Sequence, residues 1–200
     1  MGKREKARGG VRRRYEKGGT AVVYMKRLTD DDILNLYREF ETPEHVKRHC
    51  FGVTKCAMKL AEALMVADAS IKLDLKLIYG AGMVHDMART RTPHEEWAAD
   101  KLMQLGYPEE AEIIRYHMKC NVYNDIEHVT EADLLYLSDR LVLEDSFVGL
   151  EKRFEYLRAK MLKLGRDPYN EHSVTNYKNT EKLVKQIEEK TGRSMADICG

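Results

Sequence analysis

Apolar residues recur every three or four positions along most of this chain and rarely alternate. From Thr29, three acids (Asp30, Asp31, Asp32) precede Ile33, Leu36 and Tyr37, which is an acidic first turn followed by a helical stripe. Thr42-Pro43-Glu44 then offers an N-cap, a proline suited to the first helical position and an acid. Val46, Cys50, Val53, Ala57, Leu60, Ala61 and Leu64 continue one apolar face to about Ala67. Leu77, Ile78, Ala81, Val84, His85 and Ala88 predict a helix over 73–88, where Gly80 and Gly82 allow a neighbour to approach closely. Thr92-Pro93-His94-Glu95 has the form of a capping box and opens a helix to about Leu105, closed by Gly106. Pro108 opens another, to about His117, and Thr130 with Asp133 opens one carrying Leu134, Leu135, Leu137, Leu141 and Val142. Two final seams, Leu150 to Leu164 and Tyr177 to Ile187, are stopped by Gly165 and Gly192 and predict an antiparallel helical hairpin. Only Ala21 to Tyr24 has the pattern of a strand, so the fold class is all-α.

Composition narrows the setting. Two hundred residues suit one domain, and 34% charged residues with a mean hydropathy of −0.56 describe a soluble chain. No apolar run approaches the ~18–20 residues of a membrane span. No apolar segment or cleavage site follows the basic start, so no signal peptide is expected and the location expected is cytoplasmic. Cys50, Cys56, Cys120 and Cys199 lack C-x-x-C spacing and read as free thiols without a role. Residues 1–24 hold eight of the 34 Lys/Arg and two of the 33 Asp/Glu, which leaves 26 against 31 over residues 25–200. The first segment is therefore a basic tail expected to be disordered, and the remainder is mildly acidic, which argues against a broad nucleic-acid face.

The unusual residues are ionisable groups on apolar stripes. His49 flanks the Val46–Val53 stripe, His85 lies four after Ala81, His117 three after Ile114, and Asp139 four after Leu135. A single histidine on such a face is ordinarily a packed core residue. Four helices each placing one inward is a joint pattern, and a buried carboxylate costs several kcal/mol without a partner. No Lys or Arg shares these inner lines, so salt bridges are not the expected partners. A divalent cation answers all four groups at once, and imidazole with carboxylate suits Fe, Mn, Zn, Ni or Co.

The order His49, His85-Asp86, Asp139 resembles the HD-domain metal-dependent phosphohydrolases. Residues 49–57 (HCFGVTKCA) look like the family's H-x-x-x-V-x-x-x-A helix, and 77–89 (LIYGAGMVHDMAR) like the helix ending in HD. Residues 134–142 (LLYLSDRLV) look like the helix with the last aspartate. The likeness spans roughly residues 42–145, which places an HD-like helical bundle there and the hairpin at 146–192 within one domain of 25–200. His94 and His117 occupy the positions of two further histidines in a two-metal branch that includes diadenosine tetraphosphate hydrolases. The resemblance implies one or two divalent ions (Fe, Mn, Mg, Zn, Ni or Co). It implies His49, His85, Asp86 and Asp139 at the first, with Asp86 bridging to a second held by His94 and His117.

The implied activity is hydrolysis of a nucleotide or other small phosphoester by a metal-activated hydroxide. Asp86 and Arg89 are the catalytic candidates, and Arg89 stands where the family usually has lysine. Arg89, Arg91, His45 and Lys119 are candidate substrate-binding groups. The rival expectation is a nucleotide-binding sensor or scaffold whose metal is structural. A homodimer contact is the alternative use of the hairpin.

Overall fold

The computed structural model describes the backbone of residues 13–15 and 21–23 and all of residues 26–119 and 122–200. The expected tail over residues 1–24 lies largely outside the described residues. Within it, β1 (Arg13–Tyr15) pairs antiparallel with β2 (Ala21–Val23), so the strand pattern at 21–24 has a partner that the reading of residues 1–20 did not foresee.

Helices build nearly everything else. α1 (Asp30–Glu39) is closed at its start by Thr29 and Asp32 in a reciprocal capping box, and it buries Ile33, Leu36 and Tyr37. α2 (Glu44–Ala67) is the central helix. Its N-cap is Pro43 rather than Thr42: the Thr42 hydroxyl donates to the Met87 carbonyl at 2.7 Å, tying the start of α2 to the segment after His85-Asp86. α3 spans Leu75–Val84, shorter than the expected 73–88. From Val84 the backbone bonds tighten to three-residue spacing (Met87 to Val84, Arg89 to Asp86, Arg91 to Ala88), which turns the chain out of the helix. His85 and Asp86 thus sit just past the helix end, not inside it.

α4 (His94–Leu105) and α5 (Pro108–Tyr116) pack on each other. Thr92 does not form the expected capping box; Pro93 occupies the N-cap after a cis peptide bond. α6 (Glu131–Asp139) does have its Thr130–Asp133 box. A short antiparallel pair, β3 (Val142–Leu143) and β4 (Ser146–Phe147), leads to α7 (Leu150–Lys163) and α8 (Glu171–Thr191), the expected hairpin. The α7 seam is less covered than its pattern suggested: Phe154 is buried, but Leu164 is exposed. After Gly192, α9 (Met195–Cys199) was not expected; Ser194 and Asp197 box its start, and it packs on α2.

Two contiguous cores result. One joins α2, α3, α6, α8 and α9 around Leu60, Leu64, Ile78 and Leu134; the other joins α1, α4 and α5 around Leu36, Leu102 and Ile114. α2 and α3 meet closely at Gly82, where a Cβ would lie 2.5 Å from the Thr54 hydroxyl oxygen of α2. Among the described residues no helix is long and apolar enough to cross a membrane.

Candidate metal centre

Helix ends deliver the ionisable groups. His94 is the first residue of α4, His117 directly follows α5, Asp139 is the last residue of α6, and His85-Asp86 follows α3. Only His49 comes from within a helix, in the second turn of α2. At a helix end a side chain can leave the apolar stripe, so polar groups from five elements meet between the two cores.

They meet as two triads. His49, His85 and Asp139 form one, Asp86, His94 and His117 the other, each with ligand atoms within 4.8 Å of one another. In the first, His49 Nε2 lies 3.1 Å from Asp139 Oδ1. In the second, Asp86 Oδ1 lies 3.0 Å from His94 Nε2 and 3.5 Å from His117 Nε2, and those two nitrogens are 3.4 Å apart. The other oxygen of Asp86, Oδ2, lies 4.0 Å from His85 Nε2. Asp86 therefore presents one oxygen to each triad. The rings run in unbroken succession, His49–His85–His117–His94, with centroids 5.3–5.6 Å apart.

The far side of each ring fixes what the near side offers. His49 Nδ1 lies 2.7 Å from the Glu144 carbonyl, His85 Nδ1 2.8 Å from the Gly82 carbonyl, and His117 Nδ1 2.6 Å from the Ile114 carbonyl. A carbonyl can only accept, so each Nδ1 carries the proton and, on a neutral ring, each Nε2 presents a lone pair inward. His94 Nδ1 faces Glu95 Oε2 at 3.5 Å. Inward lone pairs then face carboxylate oxygens, acceptor against acceptor, and only a proton or a cation between them makes the arrangement favourable. His85 Nε2 is buried without any hydrogen-bond partner. An unpartnered ring nitrogen among carboxylates is suited to ligating a metal, and the N/O donor set fits a divalent transition ion.

Electrostatics agree. Burial pushes the His85 pKa down to about 4, so the ring is neutral near pH 7 despite its anionic neighbours. Burial also works against ionising Asp86. It is outweighed by the His117 and His94 rings that lie against the carboxylate, then by His85 and Arg89, and the carboxyl is held well below the usual range. Asp139 behaves alike: burial opposes its charge, and His49, which donates to it when protonated, His85 and Arg140 prevail. Burial pulls the His49 pKa down, but Asp139 more than offsets it and the net direction is up.

Arginines correct one expectation. Arg89 Nη1 donates to both oxygens of Asp86 at 2.9 and 2.8 Å. Arg140 Nη1 and Arg153 Nη2 each lie 3.6 Å from an Asp139 oxygen, and Arg153 Nε donates to the Asp139 carbonyl at 3.1 Å. The buried carboxylates thus have cationic partners, which come from positions outside the inner lines. The carboxylates alone do not call for a metal; it is the inward imidazole nitrogens beside them that could hold one.

Sequence reading missed the support beneath His49. Glu144, whose carbonyl fixes the ring, has φ of +54° in the turn between β3 and β4. That turn rests on α2 at Gly52, where a Cβ would lie 2.5 Å from the Asp145 carbonyl oxygen. A glycine in the middle of a helical stripe costs roughly 1 kcal/mol against alanine, and that cost was the available signal. Arg153 gave none: it lies fourteen residues beyond Asp139 on a separate helix.

Three expected substrate groups have other surroundings. Arg91 stacks over Phe40 (4.7 Å) and Trp97 (5.2 Å). Lys119 pairs with Glu96 at 2.9 Å on the surface. His45 is exposed one turn before His49 and joins neither triad. Arg89 alone of the four reaches the centre. Among the described residues Cys50, Cys56 and Cys199 are free thiols; Cys120 lies outside them.

Comparison with known proteins gives the same region a family. The HD domain family model matches residues 46–144, which include all six side chains of the two triads. An uncharacterized protein of Methanocaldococcus jannaschii is 32% identical over 74 residues, a match covering 36% of this chain and 43% of the relative's length. No solved structure gives a significant match.

Proposed function

The chain belongs to the HD-domain family, and from that premise we propose that it is a metal-dependent phosphohydrolase acting on a nucleotide or another small phosphoester. One observation carries the reading: Nε2 atoms of histidines from four helix segments turn toward one ionised carboxylate, Asp86, or its partner Asp139, with three of the rings fixed by carbonyls behind them. His49, His85 and Asp139 would hold one ion, His94 and His117 a second, with Asp86 shared between them. An imidazole-rich set favours Fe, Mn, Zn, Co or Ni over Mg, which prefers oxygen. Divalent ions held there would supply an acidified water and positive charge against the phosphoryl oxygens.

The side chains do the rest. Asp86, ionised across the neutral range, is an acceptor that orients the attacking water. Arg89 spends one nitrogen on Asp86 and is 41% exposed, so its remaining N–H groups face outward to grip a phosphoryl oxygen. Water adds at phosphorus, the ester P–O bond breaks, and the leaving oxygen takes up a proton. The test uses protein stripped of metal and reloaded with Mn or Fe, and measures phosphate release from a nucleotide panel beside the Asp86→Asn variant. Metal-dependent release lost in that variant is the expected result. Tight nucleotide binding without release would replace the enzyme with a sensor.

A further inference from the structure

Away from the metal centre, two thiols meet. Cys56 lies on the buried face of α2 and Cys199 ends α9, 143 residues further along the chain. Their Sγ atoms are 2.7 Å apart, nearer than two unbonded sulfurs ordinarily sit, and Cys199 Sγ also reaches the Cys56 carbonyl at 3.7 Å.

The contact is held from several directions. Lys59 Nζ donates to the Gly200 carbonyl at 2.8 Å, and the Met195 amide donates to Glu188 Oε1 at 2.8 Å. Arg193 Nη2 donates to the Asp197 carbonyl at 2.6 Å, and Ser194 boxes the start of α9 with Asp197. Around the sulfurs, Met195 and Ile198 fill the interface with α2, and both thiols are almost fully buried. Neither thiol has a part in the proposed hydrolysis.

We infer that Cys56 and Cys199 form a dithiol site that closes to a disulfide by exchange with a low-molecular-weight disulfide. The Cys56 thiolate attacks one sulfur of the reagent; the reagent S–S bond breaks and one small thiol leaves, taking the proton that Cys56 gave up. The Cys199 thiolate then attacks the Cys56 sulfur of the mixed disulfide and expels the second small thiol. Two cysteine sulfurs are oxidised, and one reagent disulfide is reduced to two thiols. Lys59, one turn on along α2, and the Cys199 sulfur both lie beside Cys56, so the second thiol is already placed to resolve a mixed disulfide formed there. Cys50, on the same helix, is also buried, and that burial raises its thiol pKa. Access requires only local opening of α9, a helix of five residues.

The bond would tie α9 to α2 across a long loop and restrict the unfolded chain. The whole chain is incubated natively with oxidised or reduced glutathione, then read by intact mass, non-reducing peptide mapping and thermal melting. Expected are the loss of two hydrogens, a Cys56–Cys199 cross-linked peptide and a rise in Tm of roughly 5–10 °C, reversed by reductant. Cys199→Ser, or Cys199→Ala should the first variant fold poorly, should instead keep glutathione on Cys56 and show no such rise. A stable adduct on the unmodified sequence without cross-linking overturns the inference. So does a cross-link through Cys50 or Cys120, or no cross-link even a few degrees below Tm. None of these readings involves metal or phosphate release, so the outcome is independent of the proposed hydrolysis.

Discussion

The two triads use similar ligands but are supported differently. His49 and Asp139 are braced from behind by parts of the fold further along the chain, the Glu144 carbonyl on the β3–β4 turn and Arg153 from α7, while His85 has the Gly82 carbonyl three residues back. Asp86, His94 and His117 depend on nearer supports, the Ile114 carbonyl three residues before His117 and the Glu95 side chain beside His94. The first triad is therefore coupled to the tertiary packing of α2, α6 and α7. The second is coupled mainly to where α4 and α5 begin and end. Ligands of the same chemistry can thus differ in how far away a substitution must be to disturb them.

The largest effect should come from Asp86, which belongs to both triads. Asp86→Asn should strip metal from both and lower phosphate release on the order of 10³-fold or more, read by metal analysis beside turnover. Metal content unchanged in that variant would contradict a shared carboxylate. His94→Ala should be narrower, removing about one equivalent of metal and roughly 10–100-fold of turnover while the first triad keeps its ion. Its counterpart, Gly52→Ala, places a methyl group against the Asp145 backbone and should shift the Glu144 carbonyl off His49. The expected cost is ~1–3 kcal/mol of stability and about 10-fold weaker metal binding at the first triad only, measured by calorimetric titration. Equal weakening at both triads would remove the distinction drawn between them.

The same comparison has a pH signature in metal-free protein. His85 titrates at about 4 in the fold and near 6.5 unfolded, so between those values the unfolded chain binds more protons. Stability from His85 is complete above pH ~6.5 and falls away toward pH ~4, by about 3 kcal/mol in all. His49 acts oppositely, because its raised pKa gives stability below pH ~6.5 that is lost as pH rises. Denaturant titrations of the unmodified chain and of His85→Asn should diverge across pH 4–6.5, and parallel curves would refute the assignment. Smallest of all, Lys119→Ala removes a surface pair with Glu96 and should leave both the melting temperature and turnover unchanged.

Much of this was legible in the chain because helices are written locally. The stripe from Val46 to Leu64 and the Thr130–Asp133 box specify α2 and the start of α6 through neighbours three or four residues away. His49, His85, His117 and Asp139 stood out because ionisable residues on apolar faces are costly, while Asp86 and His94 entered through the family resemblance. What stayed hidden was set by distant backbone. No local pattern says that Glu144 will turn its carbonyl to a ring 95 residues earlier, or that Arg153 will reach Asp139. Thr42 and Thr92 misled for a related reason: each stands before a proline and has the composition of a cap, yet Thr42 is drawn away to Met87, and the proline takes the N-cap in both cases.

The Thr42 hydroxyl is tied to the Met87 carbonyl. This tie fastens the entrance of the longest helix to the peptide immediately downstream of the shared aspartate, so the two cores cannot slide past each other without breaking that bond. A shear of one layer against the other would pull His49 and Asp86 apart in the same movement. The centre therefore doubles as a rivet between the layers, and ions that fill it should make the whole domain unfold as one cooperative unit.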